Sequence, residues 1–477
     1  MFFSVLPVHT EVVNRIAWGR SELLGCWFGL LAFHSYLLRV RRHSRSRLWA
    51  AAAVAFAFLA FLANERMWAL PLIVLLIEFV VAARASRRRF LVLFWKRSMS
   101  VHALMWAGLL VSVALRNKVL GEWMPAPLNP LANPLQFEDL SARFWTGLKL
   151  IWHGLVLQVL PLNLPHDYSW HSVPVLSGWN WEAFLLLLVG VAWLAAIVFS
   201  ARLAPWLAAG MIFYSVAALG FANFLYLTPR MFAEHYVYWP SAGVAIVLGY
   251  SVTAAIRMAT RKYPALPVGK LVVATSAIVL VSQGVVSVVR NRDWRDAATL
   301  SQADLPKYPA NVLMRLRAGN LLLMQGRAKE AAAQFLTGYW VHPGAHELLA
   351  SLSAGYLAQR EYGQALKTAQ GALRLAPNNP GYRVILGVVL ARSGKADMAA
   401  AVWQQVIDQF PNYPYSFYFR AMMREARQDF WGAEQDYTRA FELAPGFRPA
   451  QIRLGQLRYL LRSEESKQLI GGINQLQ

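Results

Sequence analysis

The sequence predicts an all-α protein in which a polytopic helical membrane domain precedes an α-solenoid of short helical repeats. Three observations predict this fold class. Hydrophobic residues make up 57% of the 477-residue chain, which is more than an ordinary soluble protein contains. Apolar stretches long enough to cross, or nearly cross, a bilayer recur through the first half, and prolines then recur at a fixed spacing. The predicted units are the membrane domain at 1–290, a linker at 291–308, the solenoid at 309–462 and a tail at 463–477.

Eight apolar stretches are predicted to be the spans of the membrane domain. They lie at residues 21–38, 48–64, 67–83, 99–117, 181–200, 203–222, 237–256 and 270–289. A further segment, 143–162, is interpreted as an amphipathic helix at the membrane interface. Counting this segment as a ninth span would place a later basic loop on the wrong face of the membrane.

Basic residues of the membrane half concentrate in three connections between the spans, at 39–47, 84–97 and 257–270. Short basic loops stay on the cytoplasmic side of a membrane. The opposite face is therefore predicted to carry residues 1–20, 64–66, 118–180 and 223–236 and everything after 290. The same distribution argues against nucleic-acid binding despite the formal net charge of +22, because the arginines do not line one polar face.

The chain contains a single cysteine, Cys26, which lies inside an apolar run. One cysteine excludes a disulfide and a cysteine-based metal site within one chain. Cys26 is therefore interpreted as a small residue that faces lipid or the core.

From residue 309 the sequence repeats every 34 residues, which is the period of the tetratricopeptide repeat (TPR). The periodic prolines stand at 309, 343, 377, 411 and 445. The other positions of the pattern are small residues in the first helix (Gly319, Gly387, Ala421, Gly455), alanines in the second (Ala331, Ala365, Ala399, Ala433) and bulky aromatics four residues later (Phe335, Trp403, Tyr437). Small residues let paired helices approach closely, and the aromatics fill the space between pairs. Four repeats with a capping helix at 448–462 are predicted, with Ser353 and Ala369 as weaker matches.

Four charged clusters fall on the predicted extracytoplasmic face. They are "HTEVVNRIAWGRSE" (9–22), "NER" (64–66), "PHDYSWHSVP" (165–174) and "TPRMFAEHYVYWPS" (228–241). Charged residues beside a membrane are costly, so their recurrence calls for a reason. Each cluster alone fits interfacial anchoring by arginine, tyrosine and tryptophan. Together, on one face, they predict a shared polar cavity.

The residue types in these clusters suggest what the cavity binds. Its arginines suit a phosphate or pyrophosphate, because guanidinium groups offer paired donors and stay charged; they are Arg15, Arg20, Arg66 and Arg230. Its carboxylates suit a general base or a divalent cation; they are Glu11, Glu65, Asp167 and Glu234. His9, His235 and Tyr238 belong to the same clusters. This composition fits a glycosyltransferase that uses a lipid-phosphate sugar, and it fits a lipid-binding surface as well.

Several ordered segments resemble the transmembrane and TPR-repeat-containing O-mannosyltransferases, which have a GT-C-type membrane fold, and their bacterial relatives. The segments are "LPVHTEVVNRIAWGRSELL" (6–24), "ANERMWALPLIVLLIEF" (63–79), "NPL" (133–135), "LPLNLPHDYSW" (160–170), "AEHYVYWPSAGV" (233–244) and "RNRDWRDAATL" (290–300), followed by the repeats. The resemblance covers nearly the whole chain in collinear order. No single motif is very specific, but the ordered set is.

This resemblance implies transfer of a sugar from a polyprenyl-phosphate carrier to a protein hydroxyl. It implies a multi-pass protein of the bacterial inner membrane with the TPR domain in the periplasm. The family's essential acidic residue precedes the segment that matches 6–24, so it has no counterpart here. His235 also stands where the family has arginine, and Asn64 where it often has lysine.

Three alternatives follow from the missing acidic residue. The chain is an N-terminally incomplete form of an active transferase, or a short paralogue that keeps only a membrane-anchored TPR scaffold. The third alternative is an enzyme that uses another carboxylate. Glu11 is the best-placed catalytic candidate, with Glu65 beside it, and the substrate-binding candidates are His9, Arg15, Arg20, Arg66, Asp167, Glu234, His235 and Tyr238.

The expected partners are membrane lipid, a lipid-linked sugar and protein or peptide segments, with no nucleic acid. The sequence requires no cofactor, and binding of a divalent metal ion is an open alternative. TPR geometry places the peptide groove on the first helices, at Asn320, Leu323, Arg392, Tyr415, Tyr418 and Met422. An O-antigen ligase or polymerase-like enzyme is a weaker alternative, because the connections after residue 180 are short.

Overall fold

The computed structural model describes residues 2–14, 16–41, 46–82, 98–121, 129–161, 164–169, 172–263 and 267–474. Every regular element in these ranges is a helix, so the predicted all-α fold class is confirmed. The chain divides into two compact units, Met1–Leu313 and Met314–Gln477. Residues 291–308, predicted to be a linker, belong to the first unit.

The first unit consists of helices joined by short 3₁₀ segments. Its helices are α1 (Phe2–Val5), α2 (Thr10–Asn14), α3 (Ile16–Arg41), α4 (Ser46–Ala63), α5 (Leu70–Ala82), α6 (Met99–Leu120), α7 (Leu140–Val159), α8 (Trp181–Leu203), α9 (Pro205–Ala218), α10 (Ser241–Lys262), α11 (Val268–Asp293) and α12 (Ala297–Asp304). The 3₁₀ segments are Pro7–His9, Glu65–Ala69, Pro134–Phe137, Leu219–Phe221 and Glu234–Val237.

Six helices among the described residues are long and apolar enough to cross a membrane. They lie within α3, α4, α6, α8, α10 and α11. The chain is therefore a multi-pass membrane protein. The predicted spans at 67–83 and 203–222 correspond to the shorter apolar helices α5, of 13 residues, and α9, of 14 residues.

Small residues allow the membrane helices to pack closely. Ala53, Ala57 and Ala60 are fully buried along one face of α4, at the spacing of successive turns. Between α9 and α10 a Cβ atom on Gly243 would lie 2.6 Å from the carbonyl oxygen of Gly210. Only glycine fits such a backbone approach. This contact fixes the start of α10, which directly follows one of the predicted charged clusters.

Helix α7 contains the segment predicted to be amphipathic. Its buried residues include Thr146, Leu150 and Leu157, which recur at helical spacing on one face. A Cβ atom on Gly147 would lie 2.1 Å from the carbonyl oxygen of Ala222. The helix thus packs beside the connection between α9 and α10, and its position at a membrane interface stays a prediction.

The second unit is built from helical hairpins. The first helices are α13 (Val312–Met324), α15 (His346–Ala358), α17 (Pro380–Arg392) and α19 (Pro414–Ala426). The second helices are α14 (Ala328–Val341), α16 (Tyr362–Leu375), α18 (Ala396–Gln409) and α20 (Phe430–Leu443), and α21 (Arg448–Asn474) follows them. Helix starts in each set are 34 residues apart, as the sequence period predicts.

The predicted small and aromatic positions pack against each other inside these hairpins. Phe335 is fully buried, and a Cβ atom on Gly319 would lie 2.3 Å from its ring. Gly387 faces Trp403 with the same spacing. At the weaker match Ser353, the hydroxyl donates to the carbonyl oxygen of Ala365 at 2.9 Å. Helix α21 runs past residue 462, so residues 463–474 continue it.

Candidate functional site

Four charged or ionisable side chains from three chain segments meet in the first unit; we call them the Glu11 cluster. Glu11 lies on α2, Asp167 lies between α7 and α8, and Arg230 and His235 precede α10. Glu11 and Asp167 are each 1% exposed. Burial of two carboxylates together requires charge or hydrogen-bond partners; Arg230 supplies a charge, and His235 supplies hydrogen-bond contacts.

The contacts of Glu11 are made with residues 224 and 219 positions away in sequence. Its Oε2 atom lies 3.1 Å from Nδ1 of His235 and accepts from the backbone N–H of His235 at 3.0 Å. Arg230 Nη1 lies 4.0 Å from Glu11 Oε1 and 3.7 Å from Asp167 Oδ2. Arg230 therefore bridges the two carboxylates. Burial lowers the pKa of His235, although Glu11 opposes this shift.

Glu234 lies next to the Glu11 cluster and is fully buried. Tyr168 donates its hydroxyl to Glu234 Oε1 at 3.1 Å. Burial, together with the nearby charge of Glu11, raises the pKa of Glu234 well above its usual value. Glu234 therefore holds its proton more tightly than a free glutamate side chain does.

Arg66 and Glu22 form a second buried ion pair at the same end of the helices. The guanidinium of Arg66 also lies over the ring of Tyr236, 4.0 Å from its centroid. Asn64 accepts from the backbone N–H of Arg66 at 2.9 Å and begins the 3₁₀ segment. Among the described residues, Arg66 Nε and Glu22 Oε2 are buried without a hydrogen-bond partner. Such atoms are costly unless a further group satisfies them.

His9 and Tyr238 lie together beside the Glu11 cluster. Their rings are 4.4 Å apart, edge to face, and His9 Nε2 lies 2.9 Å from the hydroxyl of Ser241. Burial lowers the pKa of His9 to about 3, so its imidazole is neutral at physiological pH. Burial also raises the pKa of Tyr238 to about 12.

The sequence did not predict a second group of buried ionisable residues, which contacts the loop that carries Asp167. Asp304 is fully buried and binds both His166 and Arg290. Burial works against the charge of Asp304, but hydrogen bonds from His166 and Arg290 outweigh it and hold its pKa well below the usual range. Segments 165–174 and 290–300 were both singled out in the sequence, but nothing in either segment indicated that Asp304 joins them.

Two of the predicted site residues lie apart from this assembly, and a third is not among the described residues. Arg20 is exposed, and Arg15 lies outside the described residues. Glu65 points to a different partner, Arg116, with Nη1 3.4 Å from Glu65 Oε2. Substrate binding by Arg15 and Arg20 and catalysis by Glu65 therefore stay predictions.

In the second unit, the predicted groove residues differ in exposure. Asn320, Arg392 and Tyr415 are exposed, whereas Leu323, Tyr418 and Met422 are half-buried. Tyr415 and Tyr418 both pack edge-on against Phe447, at 4.9 and 5.0 Å. These two tyrosines thus also stabilise the junction between the fourth hairpin and α21.

No group of three or more histidine, cysteine, aspartate or glutamate side chains is placed to hold a metal ion in the part of the chain that the structure describes. The carboxylates of the Glu11 cluster instead lie beside an arginine and a histidine. Divalent metal binding stays an expectation.

The family model for the tetratricopeptide repeat matches residues 286–339 and 355–414. Mouse protein O-mannosyl-transferase TMTC4 is 25% identical over 367 residues, which cover 69% of this chain and 47% of that protein. Human protein O-mannosyl-transferase TMTC3 is 22% identical over 479 residues, which cover 93% of this chain and 51% of that protein. The chain is similar to protein O-mannosyl-transferases.

The resemblance stated from the sequence is thus confirmed, and a bacterial origin stays a prediction. The chain spans about half the length of the curated relatives it matches. A solved TPR protein from Thermus thermophilus is 21% identical to this chain. The match covers 36% of this chain and 93% of the solved chain, with a TM-score of 0.32. The relatives and the repeat match together show a membrane protein similar to glycosyltransferases, with a TPR domain. TPR domains bind proteins or peptides.

Proposed function

We propose that this chain transfers a sugar from a polyprenyl-phosphate carrier to a protein hydroxyl. The observation that carries the proposal is the Glu11 cluster, in which a buried carboxylate is held by His235 and Arg230. The similarity to protein O-mannosyl-transferases supports this function over a non-catalytic membrane-anchored TPR scaffold. The proposed setting is the bacterial inner membrane, with the site and the TPR domain on the periplasmic side.

Glu11 is the proposed general base. The acceptor hydroxyl attacks the anomeric carbon of the sugar, its proton passes to the Glu11 carboxylate, and the bond from that carbon to the carrier phosphate breaks. The leaving phosphate takes the electron pair, and arginine side chains suit the negative charge that develops on it. Arg230 and Arg66 are the described arginines next to the base. Glu65, on the 3₁₀ segment with Arg66, is the second carboxylate candidate.

Donor and acceptor binding are assigned to the residues around the base. Asp167, Glu234, His235 and Tyr238 offer both donors and acceptors, as sugar hydroxyl groups require. His9 packs against Tyr238 and holds its ring in place. The groove of the TPR domain would present a segment of the acceptor protein, with Asn320, Arg392 and Tyr415 as its exposed members.

The test uses the full chain reconstituted in nanodiscs with radiolabelled polyprenyl-phosphate mannose and a serine- and threonine-containing acceptor protein. We expect label on the acceptor with the unchanged chain. Glu11→Gln removes the base but keeps the side-chain size, so transfer falls about 10²- to 10⁴-fold while donor binding persists. Glu330→Gln, at an exposed ion pair with Arg327, is the matched control and leaves transfer unchanged.

Two results would contradict the proposal. If the unchanged chain neither binds the donor nor transfers label, the scaffold alternative replaces the enzyme. If Glu11→Gln transfers as well as the control variant, another carboxylate is the base, and Glu65→Gln is the next variant to measure. The same assay with and without a chelator tests the divalent metal ion.

A further inference from the structure

The residue before Asp167 is bound by side chains that do not belong to the Glu11 cluster. Asp304 Oδ2 accepts from the backbone N–H of His166 at 2.7 Å and lies 2.9 Å from Nδ1 of the same residue. Arg290 donates to both oxygens of Asp304, at 2.7 and 2.8 Å. This paired geometry is directional as well as strong. The residue directly before Asp167 is therefore fixed in position at two of its atoms.

Asn311 fixes the other side of the same loop. Its Nδ2 atom donates to the backbone carbonyl oxygen of Asp167 at 3.2 Å and to the hydroxyl of Ser172 at 2.7 Å. Within the loop, Asp167 Oδ1 accepts from the backbone N–H of Ser169 at 2.8 Å. These contacts leave Oδ2 directed to Arg230, at 3.7 Å.

The end of α11 also holds the chain segment that carries Glu11. Ser287 donates its hydroxyl to the carbonyl oxygen of Val5 at 3.0 Å. Asn14 donates to the side-chain oxygen of Asn291 at 2.7 Å. Arg290 lies between Ser287 and Asn291 in sequence, so one helix end contacts both the Glu11 segment and, through Asp304, the Asp167 loop.

We infer that Asp304, together with Arg290 and Asn311, is a positioning element that holds Asp167 in register with Glu11. We call these three residues the brace. The catalytic consequence rests on the proposed function, but the positioning itself does not. Arg230 joins Asp167 to the base Glu11, so displacement of Asp167 also displaces the base. Because a shift of about 1 Å in a catalytic group lowers rates by about 10²-fold, loss of the brace lowers turnover more than it weakens donor binding.

The experiment compares four forms of the full chain in nanodiscs: unchanged, Asp304→Ala, Asn311→Ala and Asp296→Ala. Asp296 caps the same α12 helix through Thr299 but is exposed and contacts neither loop, so Asp296→Ala is the control. Hydrogen–deuterium exchange is measured for the amides of 164–169 and 230–237. Transfer kinetics are measured with polyprenyl-phosphate mannose.

We expect exchange at 164–169 to rise at least tenfold in Asp304→Ala and Asn311→Ala, with the spanning helices and TPR domain unchanged. We also expect kcat to fall about 10- to 100-fold while KM for the donor changes less than threefold. Asp304→Asn, which keeps one acceptor oxygen, recovers part of both losses.

The outcomes separate the two proposals. Unchanged exchange at 164–169 in both brace variants overturns the positioning role. Exchange that rises throughout the first unit overturns it as well, because Asp304 then supports the fold in general. If the unchanged chain transfers no sugar, the proposed function fails, whereas a local rise in exchange still supports the brace. A rise in KM alone, with kcat unchanged, assigns Asp304 to donor binding and contradicts positioning.

Discussion

Two carboxyl groups in the first unit, those of Glu78 and Glu234, differ in how completely they are hydrogen-bonded. Glu78 on α5 has a partner at each oxygen: Ser98 donates to Oε1 at 2.5 Å, and His102 Nε2 lies 2.8 Å from Oε2. Tyr36 donates to Oε2 as well. We call these four residues the Glu78 cluster. Its members connect α3, α5 and the start of α6 to one another.

Four side-chain atoms at or beside the Glu11 cluster lack a hydrogen bond. In the described ranges, Arg230 Nη1 and Glu234 Oε2 are buried without a hydrogen bond, as are Arg66 Nε and Glu22 Oε2. A buried polar atom without a partner costs about 1–3 kcal/mol, so it persists where something other than stability maintains it. At their carboxyl oxygens, Glu78 is satisfied by fold contacts, whereas Glu234 and Glu22 each keep an oxygen without a hydrogen bond, which makes the region of the Glu11 cluster the candidate ligand site.

The largest expected effect on stability comes from the Glu78 cluster. Glu78→Ala leaves His102 and Tyr36 buried without their acceptor and disconnects three helices. We expect a loss of about 3–5 kcal/mol in the free energy of unfolding, measured by denaturant titration in detergent micelles. Glu65→Ala is the control, because Glu65 is a quarter exposed and its ion pair to Arg116 spans 3.4 Å. Equal losses of unfolding free energy in both variants would contradict the structural role of the Glu78 cluster.

A smaller, pH-dependent effect is expected beside the Glu11 cluster, from His9. Its pKa is about 3 in the folded chain against 6.5 for the free side chain. Between these values the unfolded chain binds a proton that the folded chain does not, so stability falls as pH is lowered from 7. At pH 5 this loss is about 2 kcal/mol.

The measurement is the difference in unfolding free energy between pH 7.5 and pH 5 for the unchanged chain and for His9→Gln. The glutamine amide keeps a donor for Ser241 but does not titrate. We expect the pH dependence to weaken in the variant. Identical pH profiles would mean that His9 is accessible to protons in the folded state.

Tyr168→Phe tests a single hydrogen bond beside the Glu11 cluster. The substitution removes the hydroxyl that donates to Glu234 Oε1 and keeps the ring contact with Phe232 at 4.9 Å. Because the acceptor is a carboxyl whose raised pKa favours its neutral form, the expected loss is about 1 kcal/mol. Ser98→Ala, at the Glu78 cluster, is expected to cost more. The reverse order of the two losses would contradict the distinction between the clusters.

The periodic parts of the molecule could be predicted from the sequence. Gly319 and Phe335 identify a hairpin because their spacing repeats every 34 residues, and local helix geometry alone brings them together. The membrane helices were also predictable from apolar length, although their ends were not. Helix α3 begins at Ile16, before the predicted 21, because a helix end depends on local capping rather than on hydropathy.

The sequence predicted many of the residues that form the site, but it did not predict which of them pair with one another. The sequence identified Glu11, Asp167 and His235 because charges beside a membrane are rare. It did not indicate that Glu22 pairs with Arg66, or that Asp304 binds His166 from 138 positions away. Such contacts depend on which helix ends meet, and no local pattern encodes that. Glu78 was missed for a related reason, since a single charge in an apolar run does not interrupt the predicted span.

The smallest effect is expected from Arg20, which the sequence predicts as a phosphate ligand and the structure places at an exposed position. An exposed charge outside any described ion pair contributes within about 0.5 kcal/mol to stability. Arg20→Gln therefore leaves unfolding unchanged, whereas Arg66→Gln leaves Glu22 buried without its charge partner and destabilises the chain. Transfer assays on both variants extend the comparison to the ligand. If Arg20→Gln raises KM for polyprenyl-phosphate mannose as much as Arg66→Gln does, the carrier phosphate extends from the buried pair to the surface, and the ligand-binding region is larger than the buried clusters.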